Sequence, residues 1–456
     1  MPRGRNSSPI ISLFRGWRFR EMIRHSLGCI SLGLSEAGHW YRLIFPASTH
    51  RSRQLYFTSE SHTNYLLHQF HACFGLLSIL HTDSPAMPVV PPELSDYIID
   101  FLHNDSCTLR ACSLTCRAWL PASRYHLLNK VALHNARLCS AFHELLKTTP
   151  NLGLYVRELN ISQAVEPREI VNDIVATSSF VKLVSQIFTH MRWVTDLRLC
   201  LIDMLPATSF GILRHQSITD ISLSYCRFLE FADFVDFFYA FPQLKCLTLG
   251  GVTWRHGRTP RRLSPTPVLQ KLVLGRDMDL ATLVDWLVSE ELHTSIETFS
   301  VRCASEDDAD VVGPFLDILG PSLRHLELDW YLSRVKEVCL PRSITLQQCN
   351  DLETLSLHCP ILFNASLPWV TSLLTHVNAH SIRTISWDIR LLGDVDALDW
   401  ESISRILCTP MFRNLEALMF KVVVWPGVHL DTIEVKRLIR KRLSHFDSKG
   451  MVHFSS

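Results

Sequence analysis

The chain has 456 residues, 47% of them hydrophobic and 20% charged, with 45 basic against 44 acidic side chains. At about 100–200 residues per domain this is two to four domains of chain, and its apolar content excludes a largely disordered protein. A net charge of +1 argues against a dedicated nucleic-acid binder, which carries a basic excess.

Residues 1–86 differ from the rest, with nine Arg, no Lys and four acids. Their net charge is +5, which leaves −4 for the remainder. The Arg-rich, acid-poor start has the composition of an organelle transit peptide, and also that of a poorly ordered extension or of translated sequence upstream of the true start. Met87 is an alternative initiator. Leu66 to Leu80 is short and broken by His68, Gln69 and His71, so no stretch reaches the about 18 apolar residues of a membrane span.

Residues 87–135 read as a compact helical module. Pro91-Pro92-Glu93 starts a helix, with Pro tolerated in the first turn and Glu complementing the dipole. Leu94, Ile98, Phe101 and Leu102 form one apolar stripe opposite Glu93, Asp96 and Asp100. Asp105 or Ser106 caps the next helix, which carries Leu109, Cys112, Leu114, Cys116 and Trp119. Pro121 bends the chain before Tyr125, Leu127 and Leu128.

From about residue 130 a repeat of the form L-x-x-L-x-L takes over. Its ten copies have middle positions at 159, 197, 221, 247, 272, 299, 326, 355, 385 and 418, mostly 24 to 33 residues apart. The spacers hold helical patterns at 170–191, 231–241, 280–287 and 311–319. Pro242, Pro267 and Pro321 each precede a repeat, where a breaker separates helix from strand. One short strand and one helix per unit is the leucine-rich-repeat pattern. No unit buries its own apolar face, so neighbours stack into a solenoid. An ordinary α/β domain is the competing architecture.

Alternation along each strand puts positions 4 and 6 inward and positions 3, 5 and 7 on the concave surface. The rungs run from Glu158-Asn160-Ser162 through small residues such as Thr248-Gly250 and Val273-Gly275. They end in Thr298-Ser300-Arg302, His325-Glu327-Asp329 and Thr354-Ser356-His358. Such surfaces bind ligands in solenoids, and the target-binding candidates are Arg198, Arg302, His325, Glu327, Asp329 and His358. A solvated polar face is the alternative at each position.

No phosphate loop, nucleophile elbow, dinucleotide fingerprint or H-E-x-x-H occurs. The 14 Cys lack the paired spacing of a zinc site, and read as buried thiols in a reducing compartment. No catalytic residue, metal or cofactor is expected. The acidic run Glu306 to Asp310 reads as a solvated helix start, with cation binding as the alternative, and Arg255, Arg258, Arg261 and Arg262 as a solvated surface insertion, with a phosphate or partner contact as the alternative. Asp431 to Phe446 reads as a basic amphipathic helix capping the solenoid, with membrane or nucleic-acid binding as alternatives.

Val90-Pro91-Pro92-Glu93-Leu94 through Ile98 and Leu102 resembles the start of an F-box, and Leu109, Leu114, Thr115 and Cys116-Arg117-Ala118-Trp119 resemble its second half. Val90, Ser95 and Thr115 depart from the family's usual residues. With repeats following, and with Tyr155-Val156-Arg157-Glu158-Leu159 at the first strand, the chain looks like the F-box/leucine-rich-repeat proteins of fungi. The resemblance implies an α/β fold: a three-helix F-box over 87–135, then a leucine-rich-repeat-like solenoid over 136–456. It implies a non-enzymatic substrate receptor of an SCF-type ubiquitin ligase, cytoplasmic or nuclear, with the associated ubiquitin-conjugating enzyme supplying catalysis. Its partners would be a Skp-family adaptor, a cullin through that adaptor, and an unknown target protein, without nucleic acid or membrane. By resemblance, Pro91, Leu94, Ile98, Leu102, Leu114, Cys116 and Trp119 bind or shape the adaptor interface. Trp119 and Cys116 read more readily as core than as contact. A repeat scaffold acting without the ligase is the rival.

Overall fold

The structure is a computed structural model that describes residues 91–163, 174–204, 217–255, 267–330, 344–361, 367–378, 380–425 and 431–455. The 1–86 extension, Met87, Val90 and the arginines at 258, 261 and 262 lie outside the described residues. The chain forms two compact units that divide after Leu159.

The first unit holds helices α1 (Pro92–Asp100), α2 (Ser106–Thr115) and α3 (Leu120–Asn129). Strand β1 (Lys130–Leu133), helix α4 (Ala136–Thr148) and a 3-10 turn (Pro150–Tyr155) follow. Asp105 caps α2, its Oδ1 accepting from the Thr108 N–H at 3.1 Å. The first three helices share a small core of Ile99, Leu102, Leu109 and Cys112, with Ala111, Trp119, Ala122 and Leu127 packed on it, while Cys139, Phe142 and Leu146 of α4 are buried further along the unit. His126 Nε2 reaches Asp100 Oδ1 at 2.7 Å and ties α3 to α1.

The stripe expected on α1 does not coincide with its buried face. Ser95, Ile99 and Leu102 turn inward, while Leu94 and Phe101 stay in solvent. The helix is apolar on both sides, so its period alone does not say which side meets the core.

Strand β2 (Glu158–Ser162) spans the division. The second unit is a mixed α/β, solenoid-like array on a parallel sheet. Its strands are β3 (Asp196–Cys200), β5 (Asp220–Ser224), β7 (Cys246–Gly250), β9 (Lys271–Leu274) and β10 (Thr298–Cys303). The sheet continues in that order through β11 (His325–Trp330), β12 (Thr354–Ile361), β13 (Thr384–Leu391), β14 (Ala417–Val424) and β15 (Val452–Ser455). The middle apolar positions of the repeat align in register, Leu197–Ile221–Leu247–Leu272–Phe299–Leu326–Leu355–Ile385–Leu418. Every marked apolar residue of the ten copies is buried, none more than 8% exposed. Parallel strands cannot pair through a hairpin, so each spacer must cross over. Helices fill several of them: α5 (Ile174–Phe188), α6 (Phe231–Tyr239), α7 (Leu280–Ser289), α8 (Glu306–Leu319), α9 (Pro368–Thr375) and α10 (Trp400–Leu407).

A second sheet, β4 (Asp203–Met204), β6 (Arg227–Glu230) and β8 (Thr253–Arg255), follows from a repeated corner. Leu201, Tyr225 and Gly251 all adopt left-handed φ, at 57°, 53° and 63°. Each donates its N–H to the next repeat, as Tyr225 does to the Gly250 carbonyl at 2.8 Å. Gly251 leaves room for the Tyr225 ring, since a Cβ there would lie 2.5 Å from Cδ1. Serine rungs stitch the repeats elsewhere: the Ser295, Ser322 and Ser381 hydroxyls donate to the Leu269, Ile296 and Leu352 carbonyls at 2.9–3.0 Å.

The C-terminal helix forms as α11 (Thr432–Arg442) with an Asp431–Glu434 capping box, then α12 (Ser444–Asp447). Val435, Ile439, Leu443 and Phe446 are buried. The sequence does not announce β15, which adds one more parallel strand beyond the helix. Among the described residues no helix is long and apolar enough to cross a membrane.

Candidate binding surfaces

Two surfaces carry the residues singled out from the sequence. The first is the outer side of α1. Leu94, Tyr97 and Phe101 are 54%, 60% and 51% exposed, and Leu114 of α2 is 54% exposed. The Tyr97 and Phe101 rings meet edge-on at 4.8 Å. Pro91 is the exposed N-cap residue of α1, its carbonyl accepting from Leu94 N–H at 3.0 Å. Ile98 is half-buried, Leu102 belongs to the core, and Trp119 is half-buried against that core. Cys116, read more readily as core, is exposed. It sits in extended backbone just past α2, where no neighbour covers it. Tyr97 was missing from the expected set, although its spacing from Leu94 and Phe101 puts it on the same helix face.

The second is the polar face of the parallel sheet, where alternation keeps positions 3, 5 and 7 out of the core. Arg302, Asp329, His358, Asp388 and Lys421 occupy one row on five successive strands. Charge alternates along that row, because the register brings equivalent positions of neighbouring repeats side by side. Arg302 donates to Asp329. His358 donates from Nε2 to Glu327 Oε1 at 2.5 Å, and its Nδ1 stands 3.4 Å from Asp388 Oδ2. Arg390 and Lys421 approach the same Oδ2 at 3.4 and 3.5 Å. Each of His358 and Glu327 favours the charged form of the other. The shared hydrogen bond raises the His358 pKa above 6.5 and lowers that of Glu327 below 4.5, with desolvation opposing both shifts.

Asp388 is the most confined of these groups, 9% exposed. Its Oδ1 and His358 Nδ1 make no hydrogen bond. Glu327, Ser356, His358, Ser386, Asp388 and Lys421 line a shallow depression of about 360 Å³.

The other candidates stand apart from this cluster. Arg198 forks onto Asp196 of its own strand at 3.1 and 3.2 Å. His325 is exposed at the first position of β11, in the row of Thr298 and Thr354. Sequence reading missed Asp388, Arg390 and Lys421. Carrying the 3-5-7 assignment on to the copies at 385 and 418 finds Asp388 and Lys421 directly.

Among the described residues no group of three His, Cys, Asp or Glu side chains is arranged to hold a metal ion. Burial pushes the Cys112 thiol up to about 11 and Cys139 to about 12, which keeps both protonated and unreactive.

No family model matches the chain, and no curated protein matches it. Among solved structures it is similar to a chain in the crystal structure of the Rad7 and Elc1 complex from yeast. That likeness has 12% identity and a TM-score of 0.36, over 86% of this chain and 91% of that one. Both values are too low for that neighbour's partner to bear on this protein.

Proposed function

We propose that this chain is the substrate receptor of an SCF-type ubiquitin ligase, non-enzymatic itself. The observation that carries the reading is the apolar row on α1. The three helices enclose a cluster of only four buried residues and leave Leu94, Tyr97 and Phe101 of α1 in solvent, as well as Leu114 of α2, and an exposed apolar row is the mark of an interaction site. The row lies within the stretch that resembles an F-box, so a Skp-family adaptor is its occupant and a cullin is reached through that adaptor. The polar face of the repeats then holds the target protein.

The test is co-purification of the full chain with a Skp-family adaptor, beside the triple variant Leu94→Asp, Tyr97→Asp, Phe101→Asp. These residues lie outside the core, so circular dichroism of the variant should match that of the parent. The expected result is a stable complex with the parent chain and none with the variant. Absence of a complex with the parent chain would sink the ligase reading and leave the repeat scaffold in its place.

A further inference from the structure

Asp388 is a nine-tenths buried carboxylate with one oxygen that no group in the structure satisfies. A buried acceptor without a donor is costly, more so when it is charged. Its other oxygen is served poorly, because Arg390, Lys421 and His358 all stand 3.4–3.5 Å away. Good charge-assisted hydrogen bonds run at about 2.7–2.9 Å. The side chains of Arg390 and Lys421 are about half exposed, so neither is packed in place and either can swing away. The carboxylate lies in the wall of the depression between β11 and β14, with the Ser356 and Ser386 side chains beside it.

We infer that this depression takes a basic side chain of the target, an arginine, with Asp388 as its acceptor and Lys421 as the cation it displaces. The inference rests on reading the polar face as the target surface. A guanidinium offers N–H donors in a planar fork and is weakly hydrated, so it suits a carboxylate that is already desolvated. Glu327 lines the same depression and holds His358 Nε2 at 2.5 Å, which leaves Lys421 as the half-exposed cation at the rim that a guanidinium can replace.

The test uses random dodecapeptides displayed on phage and selected on the full chain without adaptor, so its outcome is independent of adaptor binding. Selected peptides should share an arginine. Replacing that arginine by citrulline, its uncharged isostere, should weaken binding at least tenfold. Asp388→Asn should cost the arginine peptide a similar factor and the citrulline peptide little. Lys421→Met should act in the opposite direction, tightening the arginine peptide about threefold by removing the competing cation. A merely structural role for the pair would not produce opposite signs, and the Lys421 variant keeps the test alive if Asp388→Asn melts early. No enrichment, peptides without a shared basic residue, or an arginine peptide indifferent to Lys421→Met would each overturn the inference.

Discussion

In the second unit every marked apolar residue of the repeat is buried, whereas the three helices at the start of the first unit leave Leu94, Tyr97, Phe101 and Leu114 in solvent over a cluster of four buried residues. The difference comes from stacking. Each repeat covers its neighbour, so a strand with two inward residues loses nearly all its apolar surface. The outer side of α1 has no such neighbour, so burying Ser95 and Ile99 leaves Leu94 and Tyr97 bare. Apolar side chains are thus enclosed throughout the repeat, whereas on α1 some are enclosed and some remain at the surface.

The sharpest contrast is one substitution made twice. Phe299 is fully buried on β10 and meets Phe315 of α8 edge-on at 5.5 Å. Phe299→Ala should cost about 3–5 kcal/mol in urea unfolding, the largest effect expected here. A cost under about 1 kcal/mol would mean that the in-register row is not the core.

Gly275→Ala probes how tightly the repeats are stacked. A Cβ at that position would lie 2.9 Å from Gly250 Cα and 3.1 Å from the Leu249 carbonyl oxygen. Both are backbone atoms and cannot swing aside, so a loss of about 1–3 kcal/mol is expected. An unchanged melting temperature would show that the strands separate freely there.

His358→Gln tests the polar face. The raised His358 pKa stabilises the fold below about pH 6.5 and loses that contribution as pH rises through the folded value. The lowered Glu327 pKa stabilises above about pH 4.5 and is lost as pH falls through its folded value. Their joint effect is fullest between these limits. The melting-temperature gap between parent and His358→Gln should peak near pH 5.5 and shrink by pH 8.5. A gap that grows toward alkaline pH would contradict the His358–Glu327 contact.

The smallest effect belongs to Phe101→Ala, the partner of the Phe299 change. Phe101 is half in solvent, so stability should move by less than about 0.5 kcal/mol. Adaptor capture should nevertheless weaken. A large loss of stability would place Phe101 in a core and erase the contrast between the units.

Much of the second unit was legible in its spacing. The copies at 197, 221, 247 and onward predicted both the strands and the inward residues, because period-2 alternation is a local property of extended chain. The helices at 231, 280 and 306 were legible for the same reason, from a 3.6-residue period and breakers. The second sheet was not, since it depends on Leu201, Tyr225 and Gly251 taking left-handed φ, a conformation that Leu and Tyr rarely adopt. Strand β15 was hidden because four residues after a helix carry too little pattern.

By itself the sequence determined which residues could be buried: the apolar positions of each repeat, one or the other side of α1, and the inward face of α11. Only the tertiary structure decided which side of α1 found a core. It also decided which charges on the polar face became neighbours. Helix and strand periods are read within one segment, but the meeting of Asp388 with His358 and Lys421 depends on register between segments about 30 residues apart, and register is a property of the stack.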